Sequence, residues 1–177
     1  MLDRLKADGL VVHINPLQEW LQPEGDFIVN SPISTLSCLM DFLDCPIIVK
    51  EVGQGMGPES IAALLKMPIA ALELAAHGGT NFSKLELLRS SGQQREVFEP
   101  VSRIGHSAGE MLGWINEFMS EDSDDILCRQ FIISGGVRDF LDGYYWMQKL
   151  SAPSVYGQAS GFLKYAAESQ EALDQYV

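Results

Sequence analysis

Residues 128–150 read CRQFIISGGVRDFLDGYYWMQKL. A short apolar run, Phe131 to Ile133, ends at Ser134, two glycines follow, and from Asp139 the apolar residues recur at helical spacing. A strand, a tight turn and a helix in direct succession form the unit of a parallel α/β fold, because a parallel strand reaches its neighbour only through a crossover.

The same unit recurs along the chain. Further strand runs are GLVVHIN (9–15), CPIIVKEVG (45–53), PIAALELAAHGG (68–79) and PSVYGQA (153–159), and CRQFIISGG spans 128–136. Their unbroken Ile and Val content predicts strands buried on both faces. Between them, ISTLSCLMDFL after Pro32, GPESIAALLKM, SAGEMLGWINEFM and DFLDGYYWMQKL read as packing helices. Pro58 sits early in the second, and Ser107 with Glu110 forms a capping box for the third. The polar stretch 80–105 predicts a lid or binding loop, and MSEDSDDI (119–126) a solvated acidic connection. Residues 1–177 read as a single domain.

Composition narrows the class. The chain has 177 residues, 46% of them hydrophobic, which suffices for one apolar core. Cys38, Cys45 and Cys128 are odd in number and show no C-x-x-C spacing, so they read as small core hydrophobes in a reducing compartment. A formal net charge of −12 repels phosphate backbones and excludes nucleic acid as the expected partner. No apolar run approaches the ~20 residues of a membrane span, and MLDRLKADG has no secretory h-region. A cytoplasmic protein is expected.

The polar residues collect where strands end, which is where parallel α/β folds bind ligands. Ser134, Gly135, Gly136 and Arg138 follow one strand, and Gly157, Gln158, Ala159 and Ser160 another. Glycines leading directly into a helix let backbone N–H groups and the helix dipole meet a phosphate; alone, each loop reads equally well as a tight βα turn. Lys50 ends an apolar strand, so its ammonium faces solvent, an anionic ligand, or a salt bridge with Glu51 or Glu73. His77 and His106 read as surface or loop histidines. In VVHINPLQEWLQPEGD (11–26), His13 and Asn15 lie two apart on a strand and share a face, while Gln18 and Glu19 follow Pro16, beyond it. One carboxylate beside an amide suits Mg²⁺, which keeps waters and shares its shell with a diphosphate. QPEGD reads as a type I turn.

Taken together, HINPLQEWLQPEGD, PIIVKEVGQGM, HGGTNFSKLE and ISGGVRDFLD resemble, in order and spacing, the flavin-dependent type 2 isopentenyl-diphosphate isomerases, a (β/α)8 TIM-barrel family. The resemblance implies interconversion of isopentenyl and dimethylallyl diphosphate by reduced FMN and Mg²⁺, with NAD(P)H as flavin reductant. It implies that Gln18 and His13 act at the allylic substrate, with Asn15 completing the pocket and Glu19 holding Mg²⁺. Lys50 and Thr80 would contact FMN, and Gly135, Gly136, Val137, Arg138, Ala159 and Ser160 its phosphate. The chain departs from the family at Ala75, where a serine is common and a flavin hydrogen bond is expected.

By the same resemblance, these five βα units correspond to strands four to eight, so a partial barrel is expected, inactive in isolation. Its two open sheet edges predict a homo-oligomer or another pairing chain. The alternatives are another FMN barrel oxidoreductase and a non-catalytic barrel remnant.

Overall fold

The computed structural model describes residues 2–121 and 124–177. The first half runs Leu2–Leu5 (α1), Leu10–His13 (β1), Pro16–Leu21 (α2), Pro32–Phe42 (α3), Ile47–Lys50 (β2), Pro58–Leu65 (α4) and Ala71–Glu73 (β3). Helices Phe82–Arg89 (α5) and Gly92–Phe98 (α6), a 3-10 turn at Glu99–Arg103, and Ala108–Glu121 (α7) follow. The chain then forms Phe131–Ile133 (β4), Phe140–Lys149 (α8), Ser154–Tyr156 (β5), Ser160–Ala166 (α9) and Gln170–Tyr176 (α10). Of the acidic connection 119–126, Asp122 and Ser123 lie outside the described residues.

Each strand lies beside its sequence neighbour in the order β1-β2-β3-β4-β5, and every pairing is parallel. Parallel crossovers are right-handed as a rule, so with no reversal of strand order successive helices return over the same face of the sheet. Burial agrees. Val49 lies opposite Leu72, and Leu72 opposite Phe131. These three, with Ile47 and Ile133, are at most 3% exposed and join Leu36, Ile61, Leu64, Leu65, Met111 and Ile115 in one core. Each such burial stabilises the fold by about 1.5–3 kcal/mol before cavity effects.

The expectation of burial on both faces fails for the other side. There the register aligns Val11 with Ile48, and His13, Lys50, Glu73, Ile132 and Val155 in a second row. Val11 and Val155 are more than half exposed, and Ile48, Lys50, Glu73 and Ile132 are half-buried. The Ile and Val content reports strand propensity; only one face is covered by helices.

The helices follow their local signals. Ser107 and Glu110 cap α7 reciprocally, the Ser107 amide donating to Glu110 Oε2 at 2.8 Å and the Glu110 amide to Ser107 Oγ at 3.3 Å. Residues 80–105, read as a loop, are instead largely helical. Their polar residues are caps: Asn81 Oδ1 accepts from the Lys84 amide, Ser91 Oγ from the Gln94 amide, and Arg95 donates to the carbonyls of Leu87 and Leu88 at the end of α5. Of the cysteines, Cys128 is a buried core residue, Cys45 is intermediate and Cys38 is exposed, contrary to the expectation for all three. Among the described residues no helix is long and apolar enough to cross a membrane.

Candidate functional site

Because all strands are parallel, their carboxyl ends open on one side, and a cavity of about 550 Å³ lies there. Lys50, Thr80, Gly135, Gly136, Val137, Arg138, Ala159 and Ser160 all line it, so the eight residues read as a cofactor set share one cavity.

The β4–α8 turn forms its floor. Gly135 and Gly136 have φ of +88° and +75°, a region that other residues adopt only with strain. A Cβ at Gly135 would stand 2.2 Å from the Ala76 carbonyl oxygen, so a side chain there meets backbone. The Gly135, Gly136 and Val137 amides donate no hydrogen bond among the described residues. Backbone donors without partners, beside a close approach that only glycine permits, suit an anion such as phosphate.

The helix after this turn contributes less than expected. Asp139 caps α8, accepting from the Leu141 and Asp142 amides at 3.0 Å each, so those first-turn donors are already occupied. Arg138 Nε donates to Asp142 Oδ2 at 3.0 Å, and that contact raises the guanidinium pKa while lowering the Asp142 carboxyl. Arg138 therefore reaches the cavity as half of an exposed ion pair. At the second loop, α9 begins after Ala159 without any side-chain cap.

Lys50 forms the salt bridge with Glu73 and lines the cavity as well. Its ammonium donates to the Glu51 carbonyl at 2.7 Å and lies 3.8 Å from Glu73 Oε1, while the side chain lines the cavity. Ser134 Oγ donates to the same Glu73 oxygen at 2.8 Å and accepts from the Ala75 amide at 3.2 Å. Ala75 holds φ +43°, unusual outside glycine. Position 75 carries no hydroxyl, and the hydroxyl beside it is that of Ser134.

Below this wall, the turn after β2 is braced by Glu51, which is 7% exposed. Its Oε2 accepts from the amides of Gly53 (2.7 Å), Gln54 (2.6 Å) and Gly55 (2.9 Å). Burial pushes its carboxyl above the ordinary value, against the pull of those three amides. Gln54 extends the brace: its amide donates to the Ile104 carbonyl and accepts from Ser83 Oγ, both at 2.6 Å.

A second cluster is built on the opening segment, next to Lys50 through the His13–Lys50 register pair. His13 ends β1 and is exposed. Asn15 is not on the strand, as read; it precedes α2, nearly buried, because Pro16 starts the helix one residue later. Asn15 Nδ2 donates to Glu19 Oε1 at 2.8 Å and to Gln18 Oε1 at 3.4 Å. Glu19 Oε2 accepts from Gln22 Nε2 at 2.8 Å and from the Asp26 amide at 3.1 Å. Those contacts, the Asp26 amide foremost and Asn15 next, hold the Glu19 carboxyl below the ordinary 4.5. The QPEGD segment forms a turn, closed by the Gly25 amide on the Gln22 carbonyl at 3.1 Å.

Sequence reading missed Glu86. This carboxylate, on α5 and 4% exposed, accepts from Gln18 Nε2 at 3.3 Å and from Arg89 at 2.6 Å. It fixes the Gln18 amide from a point 68 residues away. The only local hint is its i,i+3 pairing with Arg89. Among the described residues no group of three or more His, Cys, Asp or Glu side chains could hold a metal by itself.

No protein-family model matches the chain. Curated relatives do. It is 37% identical to an isopentenyl-diphosphate delta-isomerase of Synechococcus, over 100% of this chain and 49% of that protein. It is 35% identical to one of Hydrogenovibrio crunogenus, over 97% of this chain and 48% of that protein, and 33% identical to one of Ignicoccus hospitalis, over 99% and 48%. The chain spans about half the length of the curated relatives it matches. Over its whole length, this strand-by-strand α/β chain is a homologue of the isopentenyl-diphosphate delta-isomerases.

Proposed function

We propose that the chain supplies the flavin-facing half of a type 2 isopentenyl-diphosphate isomerase of (β/α)8 form, working in the cytoplasm on isopentenyl and dimethylallyl diphosphate. The observation that carries the reading is the convergence of Lys50, Thr80, Gly135, Gly136, Val137, Arg138, Ala159 and Ser160 on one cavity at the carboxyl ends of parallel strands. In-order parallel strands with helices over one face suit a barrel arc, whose edges at β1 and β5 would receive further strands, from the remaining barrel or from other copies.

The residues fit FMN. The unpartnered amides of Gly135, Gly136 and Val137 would receive its phosphate, and Lys50 would bring positive charge beside the ring. Bound and reduced by NAD(P)H, FMN supplies the acid/base chemistry for a 1,3-proton shift. The chain's part is positioning and electrostatics. Glu73 keeps Lys50 and Ser134 in place from the adjacent strand.

The residues also fit one Mg²⁺ shared with a diphosphate. The Glu19 carboxyl is held below its ordinary value, and among the described residues its Oε2 accepts two hydrogen bonds while Oε1 accepts one and keeps a lone pair. Gln18, fixed by Asn15 and Glu86, would present its amide to the allylic carbons, and His13 would complete the pocket with Asn15.

Titration with FMN, followed by quenching of flavin fluorescence, tests the cofactor half. Saturable quenching is expected for the native chain, and none for Gly135→Val of equal helicity; equal quenching by both would remove FMN from this cavity. In a barrel completed with the remaining strands of a relative, Gln18→Ala should reduce turnover strongly and leave FMN affinity unchanged. Near-native turnover would remove Gln18 from the site.

A further inference from the structure

A second cavity, of about 440 Å³, lies on the other side of the Gly78–Thr80 loop, between α5 and the Glu99–Arg103 turn. Thr80 apart, none of its lining side chains has a part in the proposed isomerisation. Its lining divides by chemistry. Leu85 and Leu88, 46% and 56% exposed, offer an apolar surface, while Lys84, Arg103 and His77 stand around it.

The charges are placed for an anion. The Lys84 ammonium makes no hydrogen bond or ion pair among the described residues. Arg103 is held by Glu99 through both Nε and NH2, so the cavity keeps a net positive charge from Lys84 even with that pair closed. The amides of Gly78, Gly79 and Thr80, which form the shared wall, donate no hydrogen bonds among the described residues. In a chain of net charge −12, an anion approaches only where cations and free amides are gathered locally.

From this arrangement we infer a second ligand site at Lys84, Arg103, His77, Leu85 and Leu88, which binds an anionic amphiphile: a phosphate or diphosphate head on a short apolar chain. The head would lie against the Lys84 ammonium and the loop amides and compete with Glu99 for Arg103, while the chain would cover Leu85 and Leu88. The volume falls within the range of small-molecule sites. Because both cavities share the 78–80 loop, an occupant here would reach the first cavity through that wall.

The test uses hexyl diphosphate and inorganic pyrophosphate as probes, with calorimetry for affinity and backbone amide NMR for location. Hexyl diphosphate should bind more tightly than pyrophosphate and shift the amides of residues 78–88 and 99–103. Lys84→Gln should weaken both probes by about tenfold, the loss of one charge-assisted contact. Leu88→Asn should abolish the preference for the hexyl chain and leave pyrophosphate unchanged. Both side chains are exposed, so melting temperatures should match the native chain. Amide shifts confined to 135–138 and 157–160, affinities insensitive to Lys84→Gln, or no binding of either probe would each overturn the site.

Discussion

Replacing Glu51 by Ala tests whether the turn after β2 is held by one side chain. The carboxylate is 7% exposed and accepts three consecutive amides at 2.6–2.9 Å. The Gly55 amide also donates to the Ala75 carbonyl at 3.0 Å and keeps that partner after truncation. Among the described residues the Gly53 and Gln54 amides have no other partner, and both residues are buried. A buried donor left unsatisfied costs about 1–3 kcal/mol. Two such losses, partly offset by relief from burying a carboxylate, give a destabilisation of about 3 kcal/mol. For a domain of this size that lowers the melting temperature by about 6–12 °C. Glu51→Gln keeps a neutral acceptor and should cost about 1 kcal/mol. Urea denaturation followed by far-UV circular dichroism measures both. An Ala variant within about 0.5 kcal/mol of the parent, the range of ordinary surface changes, would refute the brace.

Two further predictions concern single groups. Glu19 is depressed below 4.5 in the fold, chiefly by the Asp26 amide and then by Asn15, so its contribution is fully present above pH 4.5 and is lost as pH falls through the folded-state value. Stability of the native chain should decline over that acid window, and Glu19→Gln should flatten the decline; parallel stability curves for the two would remove the linkage. Iodoacetamide under native conditions should alkylate the exposed Cys38 and spare Cys128, whose thiol is both buried and pushed up by burial. Mass spectrometry of the peptides decides it, and rapid labelling of Cys128 would mean that the core around β4 opens readily.

The strands were legible because the β-branched residues of runs such as PIIV and FII favour extended, pleated backbone whether or not both faces are covered. The cavity was legible for a geometric reason: parallel pairing carries every strand tip to one side, so residues named separately along the chain meet there. The helices α5 and α6 escaped because their polar residues serve as caps and C-terminal ties, which look like loop composition when the partners are unseen. Helix α2 escaped because its six residues are too few to show periodicity. Glu86 was hidden for a different reason. Its role lies in a contact with Gln18 across the fold, and nothing within several residues of either carboxylate or amide encodes that meeting. Lys50 showed the opposite behaviour, since the salt bridge with Glu73 read from its place at a strand end forms and the side chain also lines the cavity.

The in-order sheet also governs how the chain comes apart. Among the described residues each strand is hydrogen-bonded only to the strands before and after it in sequence, so β1 and β5 each have a single neighbour and β3 sits two strands from either side. Loss of an outer βα unit leaves the inner ladder intact, so opening proceeds inward from both flanks as fraying. Amide protons should then exchange with solvent first along β1 and β5 and last at Leu72, whose side chain is fully enclosed.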